Sequence, residues 1–371
     1  MAGKLPHLPA AWSTCSIDGS GLRILILKPS SLGDVIHAIP VLRLLRLRFP
    51  KAWIAWWVET SLGDLLRGDP DLDEVIPFDR AGLCTLSGVG GLIRSIRSMR
   101  RQRFDWVIDL QGLARSGLVA WAARGKLTVG VEDPREGASA FYDVRVSRPS
   151  WTTHAVDWYL EVLRVLGVPV HDRFQWLPKR GEPARSIEAA KRGLFESWIC
   201  VHPGARWWNK RYPIEKFESA MKEVASQWPE VGFVILGGAG DMLMADRLCA
   251  VAPDRSLNLT GKTTLPEMVE WIRSCRVMLT NDTGPMHVAA AMKKPVVALF
   301  GPTSPYRTGP YRQEADVIQA SLPCVPCMKS RCSRPLAIEC LHSIPPEAPA
   351  ERISACLSDL QPATAAGVHA F

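Results

Sequence analysis

The sequence predicts an α/β protein made of two Rossmann-like domains facing a central cleft. Three observations carry that expectation. Short β-rich runs alternate with helical stretches through both halves of the chain. The runs are apolar along nearly their whole length, as strands buried on both faces of a parallel sheet must be. The 371 residues, 47% hydrophobic and 22% charged, suffice for two cores of ordinary size.

Taken in order, residues 1–20 contain no continuous apolar stretch and are expected to form a flexible N-terminal tail. The first domain is expected over residues 21–180, with strands at Arg23–Lys28, Trp53–Glu59, Glu74–Phe78, Trp106–Leu110 and Leu127–Val131. The segment GVPVHDRFQWLPKRGEP, from Gly167 to Pro183, is rich in Pro, Gly and charge and marks the interdomain connection. A second domain follows over 181–345, with strands at Ile199–His202, Gly232–Leu236, Leu257–Leu259, Val277–Thr280 and Val296–Phe300. Residues 346–371 supply a terminal helix, expected to pack back on the N-terminal domain, and a frayed tail from Pro362.

The longest apolar run, Ala52–Val58, fits a buried strand and is far shorter than the roughly 18 residues of a membrane span. With no secretory h-region, a cytoplasmic protein is expected, and there its ten cysteines argue against a disulfide framework. The net charge of +8 favours an anionic partner: nucleic acid, an acidic membrane surface or a phosphorylated substrate. No RNA- or DNA-binding module is recognisable, which argues against nucleic acid. Basic residues cluster at Arg43, Arg46, Arg48 and Lys51, and again at Arg94, Arg97, Arg100, Arg101 and Arg103, all in helical stretches. They read either as solvated helix faces or as contacts to an anionic glycolipid or bilayer.

Chemistry concentrates in four segments. LKPSSLGDVIHAIP places Ser30, Ser31, Gly33 and Asp34 where a strand hands over to a helix, the usual ligand position in open α/β sheets. Asp34 at a helix N-terminus is either a proton acceptor or a simple cap. In LTNDTGPMHVAAAMKKPVVALFGPT, Thr283 and Gly284 open a helix whose N–H groups suit a diphosphate. Asp282 there suits sugar hydroxyls, and His287 lies one turn further in. HPGARWWNKRYP offers Gly204 for close backbone approach and Lys210 to neutralise a departing diphosphate without metal. The Gly-rich turn LGGAGD adds Asp241. An Asp-Leu-Asp at 71–73 resembles a metal-binding DxD but precedes a strand, so it reads as a turn. Cys324, Cys327, Cys332 and Cys340, spaced C-x2-C-x4-C-x7-C, are candidates for a zinc site, for reduced packing thiols or for a disulfide.

In that order and spacing, SSLGDVIHAIP, HAVDWYLEVLRVLGV, HPGARWWNKRYP, NDTGPMHVAAA, ALFGPT and the CVPC segment resemble glycosyltransferase family 9, the ADP-heptose:lipopolysaccharide heptosyltransferases, over about residues 22–355. The resemblance implies a GT-B fold with an acceptor-binding N-terminal domain and a C-terminal domain for ADP-L-glycero-D-manno-heptose. It implies Asp34 as catalytic residue, and Lys210, Asp282, Thr283, Gly284, His287 and Asp241 as donor-binding, with Ser30, Ser31 and Gly33 in the acceptor cleft. It further implies an inverting, metal-independent transfer with no cofactor, to an anionic lipid-anchored saccharide at the cytoplasmic face of the inner membrane. HPGARWWN stands where first-heptose enzymes have a Thr-rich stretch, so transfer of the first heptose onto Kdo, of the second heptose, or from another donor within the family all stay open. A nucleotide-sugar epimerase or a non-catalytic nucleotide-sugar or glycolipid binding protein are the alternatives.

Overall fold

The computed structural model describes residues 18–80, 86–133, 136–191, 195 and 197–359, in two compact units, Met1–Pro178 and Lys179–Phe371. The first unit runs β1 (Arg23–Leu27), α1 (Leu32–Arg48), β2 (Trp53–Glu59), α2 (Gly63–Leu66), β3 (Glu74–Phe78), α3 (Leu86–Gln102), β4 (Trp106–Asp109), α4 (Ala114–Ala123), β5 (Leu127–Glu132), β6 (Val144–Ser147) and α5 (Ala155–Val165). Its strands pair in parallel in the order β3-β2-β1-β4-β5-β6. Ile24, Leu25, Ile26 and Leu27 are all fully buried, because α3 and α4 cover one face of the sheet and α1 and α5 the other.

The second unit runs α6 (Gly181–Lys191), β7 (Ser197–His202), α7 (Ile214–Gln227), β8 (Val231–Ile235), α8 (Met242–Cys249), β9 (Ser256–Asn258), α9 (Leu265–Ser274), β10 (Val277–Asn281), α10 (Gly284–Ala291), β11 (Val296–Phe300), α11 (Pro305–Thr308), β12 (Val317–Gln319), α12 (Glu339–His342) and α13 (Glu347–Ser358). Its order, β12-β11-β10-β7-β8-β9, repeats the connectivity of the first sheet. In each unit the chain reverses its winding between the first and fourth strands, β1/β4 and β7/β10, which is where a ligand crevice opens at the carboxyl ends.

Helix α13 packs on α7, β10 and β11, and buries Ala350, Ile353, Cys356 and Leu357 in the second unit's core. Its tail from Pro362 lies outside the described residues. The first arginine cluster is neither a solvated face nor a lipid contact at Arg43 and Arg46. Arg43 is 4% exposed, binds Asp69 at 2.5 Å and Asp71 at 2.7 Å, and donates to the Trp176 carbonyl at 2.9 Å. Arg46 binds Asp73 at 2.6 Å and the Asp71 carbonyl at 3.0 Å. Together they clamp the Asp-Leu-Asp turn to α1.

Arg43→Met leaves the buried Asp69 carboxylate without its cation. A loss of about 3–5 kcal/mol is expected, as when one partner of a buried pair is removed. Urea denaturation checks it: an unchanged midpoint and slope would show that the clamp contributes nothing to stability.

Candidate active site

At the β1/β4 crevice, Ser31 caps α1, and Asp34 reaches back so that its Oδ2 accepts from the Ser31 N–H at 3.0 Å and from the Ser31 hydroxyl at 2.8 Å. The helix cap weighed against a reactive carboxylate is therefore present, yet the Asp34 side chain keeps 37% of its surface exposed and its Oδ1 faces Lys28 Nζ at 3.7 Å. Lys28 is fully buried, donates to the Leu110 carbonyl at 3.0 Å and lies 4.9 Å from the Tyr159 ring centroid. Burial alone would lower its ammonium. Tyr159, Asp34 and Asp109 around it outweigh burial and hold it above the usual lysine value.

Asp109, at the end of β4, is fully buried near Lys28. Its Oδ1 accepts from the Gln111 N–H at 2.8 Å, and its Oδ2 from the Tyr142 hydroxyl at 2.7 Å. Burial pushes its carboxyl above the ordinary range, against the pull of the Tyr142, Ser116 and backbone hydrogen bonds. Gly130 in β5 permits this arrangement, because a Cβ there would lie 2.3 Å from the Tyr142 ring. Pro29, Ser30, Trp57, Phe78, Gln111 and Leu113 line part of a largely apolar cavity of about 180 Å³, with Arg80 and Arg115 as its cations.

The second unit gathers its polar groups at the β7/β10 crevice. Lys210 Nζ lies 2.5 Å from Asp282 Oδ2, and the Thr303 hydroxyl donates to the same oxygen at 2.5 Å. Asp282 is 5% exposed and Lys210 17%, so this is a largely buried pair that still opens to solvent on the lysine side. Asn281, the last residue of β10, fastens two loops together: it accepts from the Tyr212 N–H at 3.0 Å and donates to the Pro203 carbonyl at 2.6 Å. Thr283 is the N-cap of α10, where Gly284 and Thr283 are part-exposed and His287 is buried one turn in. Asp241 accepts from the Gly238 N–H at 3.0 Å and packs on Gly204, where a Cβ would approach its carboxylate to 2.5 Å. Beside it, burial pushes the His202 imidazole below its usual value and so favours the neutral ring.

The structure thus brings Ser30, Ser31, Gly33 and Asp34 together in one unit, and Lys210 with Asp282 and Thr303 in the other, with Asp241 on the neighbouring Gly204 turn. Lys28, Asp109, Tyr142 and Tyr159 escaped sequence reasoning. Only the position of Lys28 at the end of an apolar strand hinted at it.

Cys324, Cys327, Cys332 and Cys340, offered by the sequence as packing thiols, a disulfide or a zinc site, line one cavity of about 80 Å³ as free thiols, and among the described residues no group of three or more His, Cys, Asp or Glu is arranged to hold a metal. The Cys332 sulfur accepts from the Ile338 N–H at 3.4 Å. Their loop is pinned beside the Lys210 segment, with Asn209 donating to the Lys329 carbonyl at 2.9 Å and the Met328 N–H to the Pro302 carbonyl at 2.7 Å.

The chain is similar to known proteins along most of its length. Lipopolysaccharide heptosyltransferase 1 of Pseudomonas aeruginosa is 29% identical over 325 residues, 84% of this chain and 88% of that protein. The solved structure of a family 9 glycosyl transferase from Veillonella parvula superposes with a TM-score of 0.77 at 25% identity, over 92% of this chain and 98% of that one. The Escherichia coli ADP-heptose lps heptosyltransferase II structure gives a TM-score of 0.71 at 25% identity, over 91% and 99%. Both carry the pair of Rossmann-like units of the GT-B class. The model of glycosyltransferase family 9 (heptosyltransferase) matches residues 92–338, more than half of the chain, so the protein belongs to that family and is a glycosyltransferase.

Proposed function

We propose that the protein transfers a heptose from ADP-L-glycero-D-manno-heptose to the Kdo and heptose inner core of lipopolysaccharide, inverting the anomeric centre and using neither metal nor cofactor. The names of its relatives, a lipopolysaccharide heptosyltransferase and an ADP-heptose lps heptosyltransferase, support the substrates. The observation that carries the mechanism is the lysine–aspartate–threonine cluster at the head of α10 in the second unit. It supplies a cation and backbone N–H groups where a diphosphate would leave.

In this reading the first unit takes the acceptor. Asp34 accepts the proton of an acceptor hydroxyl as that oxygen attacks the anomeric carbon from the face opposite ADP. The anomeric C–O bond breaks, and ADP departs with the electron pair, its charge met by Lys210 and the first turn of α10. Lys28 positions Asp34 from the interior. Lys210 does here what a divalent cation does elsewhere, and the DxD-like Asp71 and Asp73 are occupied by Arg43 and Arg46. The enzyme works in the cytoplasm at the inner membrane, where its acceptor is anchored.

Two predictions test this. NMR of the product should show the new linkage with the anomeric configuration opposite to the donor's, and EDTA should leave the rate unchanged; retention, or loss of activity restored by a divalent cation, would refute the mechanism. Gly204→Ala should push the Asp241 carboxylate off its seat and raise KM for the donor several-fold with kcat little altered. An unchanged KM would remove Asp241 from the donor site.

A further inference from the structure

Helices α3 and α4 lie side by side on one face of the first sheet, bridged by Arg100, whose Nε donates to the Ala122 carbonyl at 2.6 Å. On α4 the exposed side chains recur every third residue, Arg115, Leu118 and Trp121, with Arg124 following at the helix end, and they form one stripe. On α3 the outward side carries Ile93, Arg94, Arg97 and Arg101. The apolar members are large and well exposed, at 59% for Trp121, 51% for Leu118 and 44% for Ile93. Neither helix contains an aspartate or glutamate; Glu74 meets α3 at its last residue, accepting from Gln102 Nε2 at 2.9 Å, and Glu136 meets α4 at its first turn, accepting from the Ala114 N–H at 3.2 Å.

We propose that this α3–α4 face docks on the surface of an anionic lipid bilayer. Arginines at the rim of an exposed tryptophan, leucine and isoleucine set match an interface of acidic headgroups over acyl chains, where amphipathic Trp and Arg side chains settle. One cavity adds to the fit: Arg115 and Leu118 of the stripe also line the largely apolar cavity whose lining includes Ser30, just before the helix that carries Asp34. Docking here brings that cavity to the membrane, where the lipid-anchored acceptor is held. The inference extends the proposed function by assigning the surface that meets the acceptor's membrane.

Sedimentation of the full chain with vesicles tests it. Binding is expected to vesicles of phosphatidylcholine with phosphatidylglycerol and not to phosphatidylcholine alone, and it should weaken as salt rises. Replacing Arg94, Arg97 and Arg101 together by Ser should weaken binding by roughly 100-fold, and Trp121→Ser alone by several-fold. Both variants should transfer sugar to a deacylated, water-soluble acceptor at the wild-type rate. Equal binding by wild type and variants, equal binding to both vesicle types, or arginine-dependent binding to a DNA duplex in place of vesicles would overturn the docking face. Failure of the wild type to act on any soluble acceptor would instead refute the transferase reading, whatever the vesicles show.

Discussion

Asp34→Asn is expected to slow sugar transfer by about 10²- to 10⁴-fold, the usual worth of a positioned general base, while donor binding is retained. The amide is the informative replacement. Asp34 both caps α1 through Ser31 and faces the crevice, and Asn can still accept the Ser31 N–H at the cap but cannot take a proton. Alanine would remove cap and base together and add a stability loss of about 1 kcal/mol. Measuring kcat, donor affinity and melting temperature on the same Asn protein separates the roles. An Asn variant within a few-fold of the wild-type rate would reduce Asp34 to its capping function.

Lys210→Ala should cost about 10²- to 10³-fold in kcat, comparable with removing one preorganised donor from a developing oxyanion. It should also weaken ADP binding. Its second effect is structural: Asp282, 5% exposed, loses its cation and keeps the Thr303 hydroxyl as a partner. The melting temperature is therefore expected to fall as well. Lys210→Arg keeps the charge in a wider fork and should recover stability more fully than rate, because a point charge close to Asp282 is what the site accommodates. If Lys210→Ala turns over normally, the assignment of the leaving group to this cluster fails.

The fold was legible where burial is two-sided. The central strands, β1, β2, β4, β7, β10 and β11, are covered on both faces and read as unbroken apolar runs with ends correct to within two residues. The strands that escaped notice, Val144–Ser147 and Val317–Gln319, stand at sheet edges, are short and only partly buried, and carry polar residues that look like loop. The site was legible where it is local. Asp34 with Ser31, and Asp282 with Thr283 and Gly284, sit in single turns between a strand and a helix. Contacts that fold distant segments together were not. Lys28 reaches Leu110 across 82 residues and Lys210 reaches Asp282 across 72, and no local pattern announces either. The same limit explains Arg43 and Arg46: on the helix alone they look solvated, and only the returning turn at Asp69–Asp73 reveals them as an internal clamp.

The central claim is transfer from ADP-heptose to an inner-core acceptor, and ADP release by the purified protein tests it most directly. With ADP-heptose present, release should be slow alone and should rise strongly on adding Kdo-lipid A or a heptose-bearing core, whichever is the true acceptor. Release that is equally fast without any acceptor, or no release with either acceptor although ADP-heptose binds, would contradict the account.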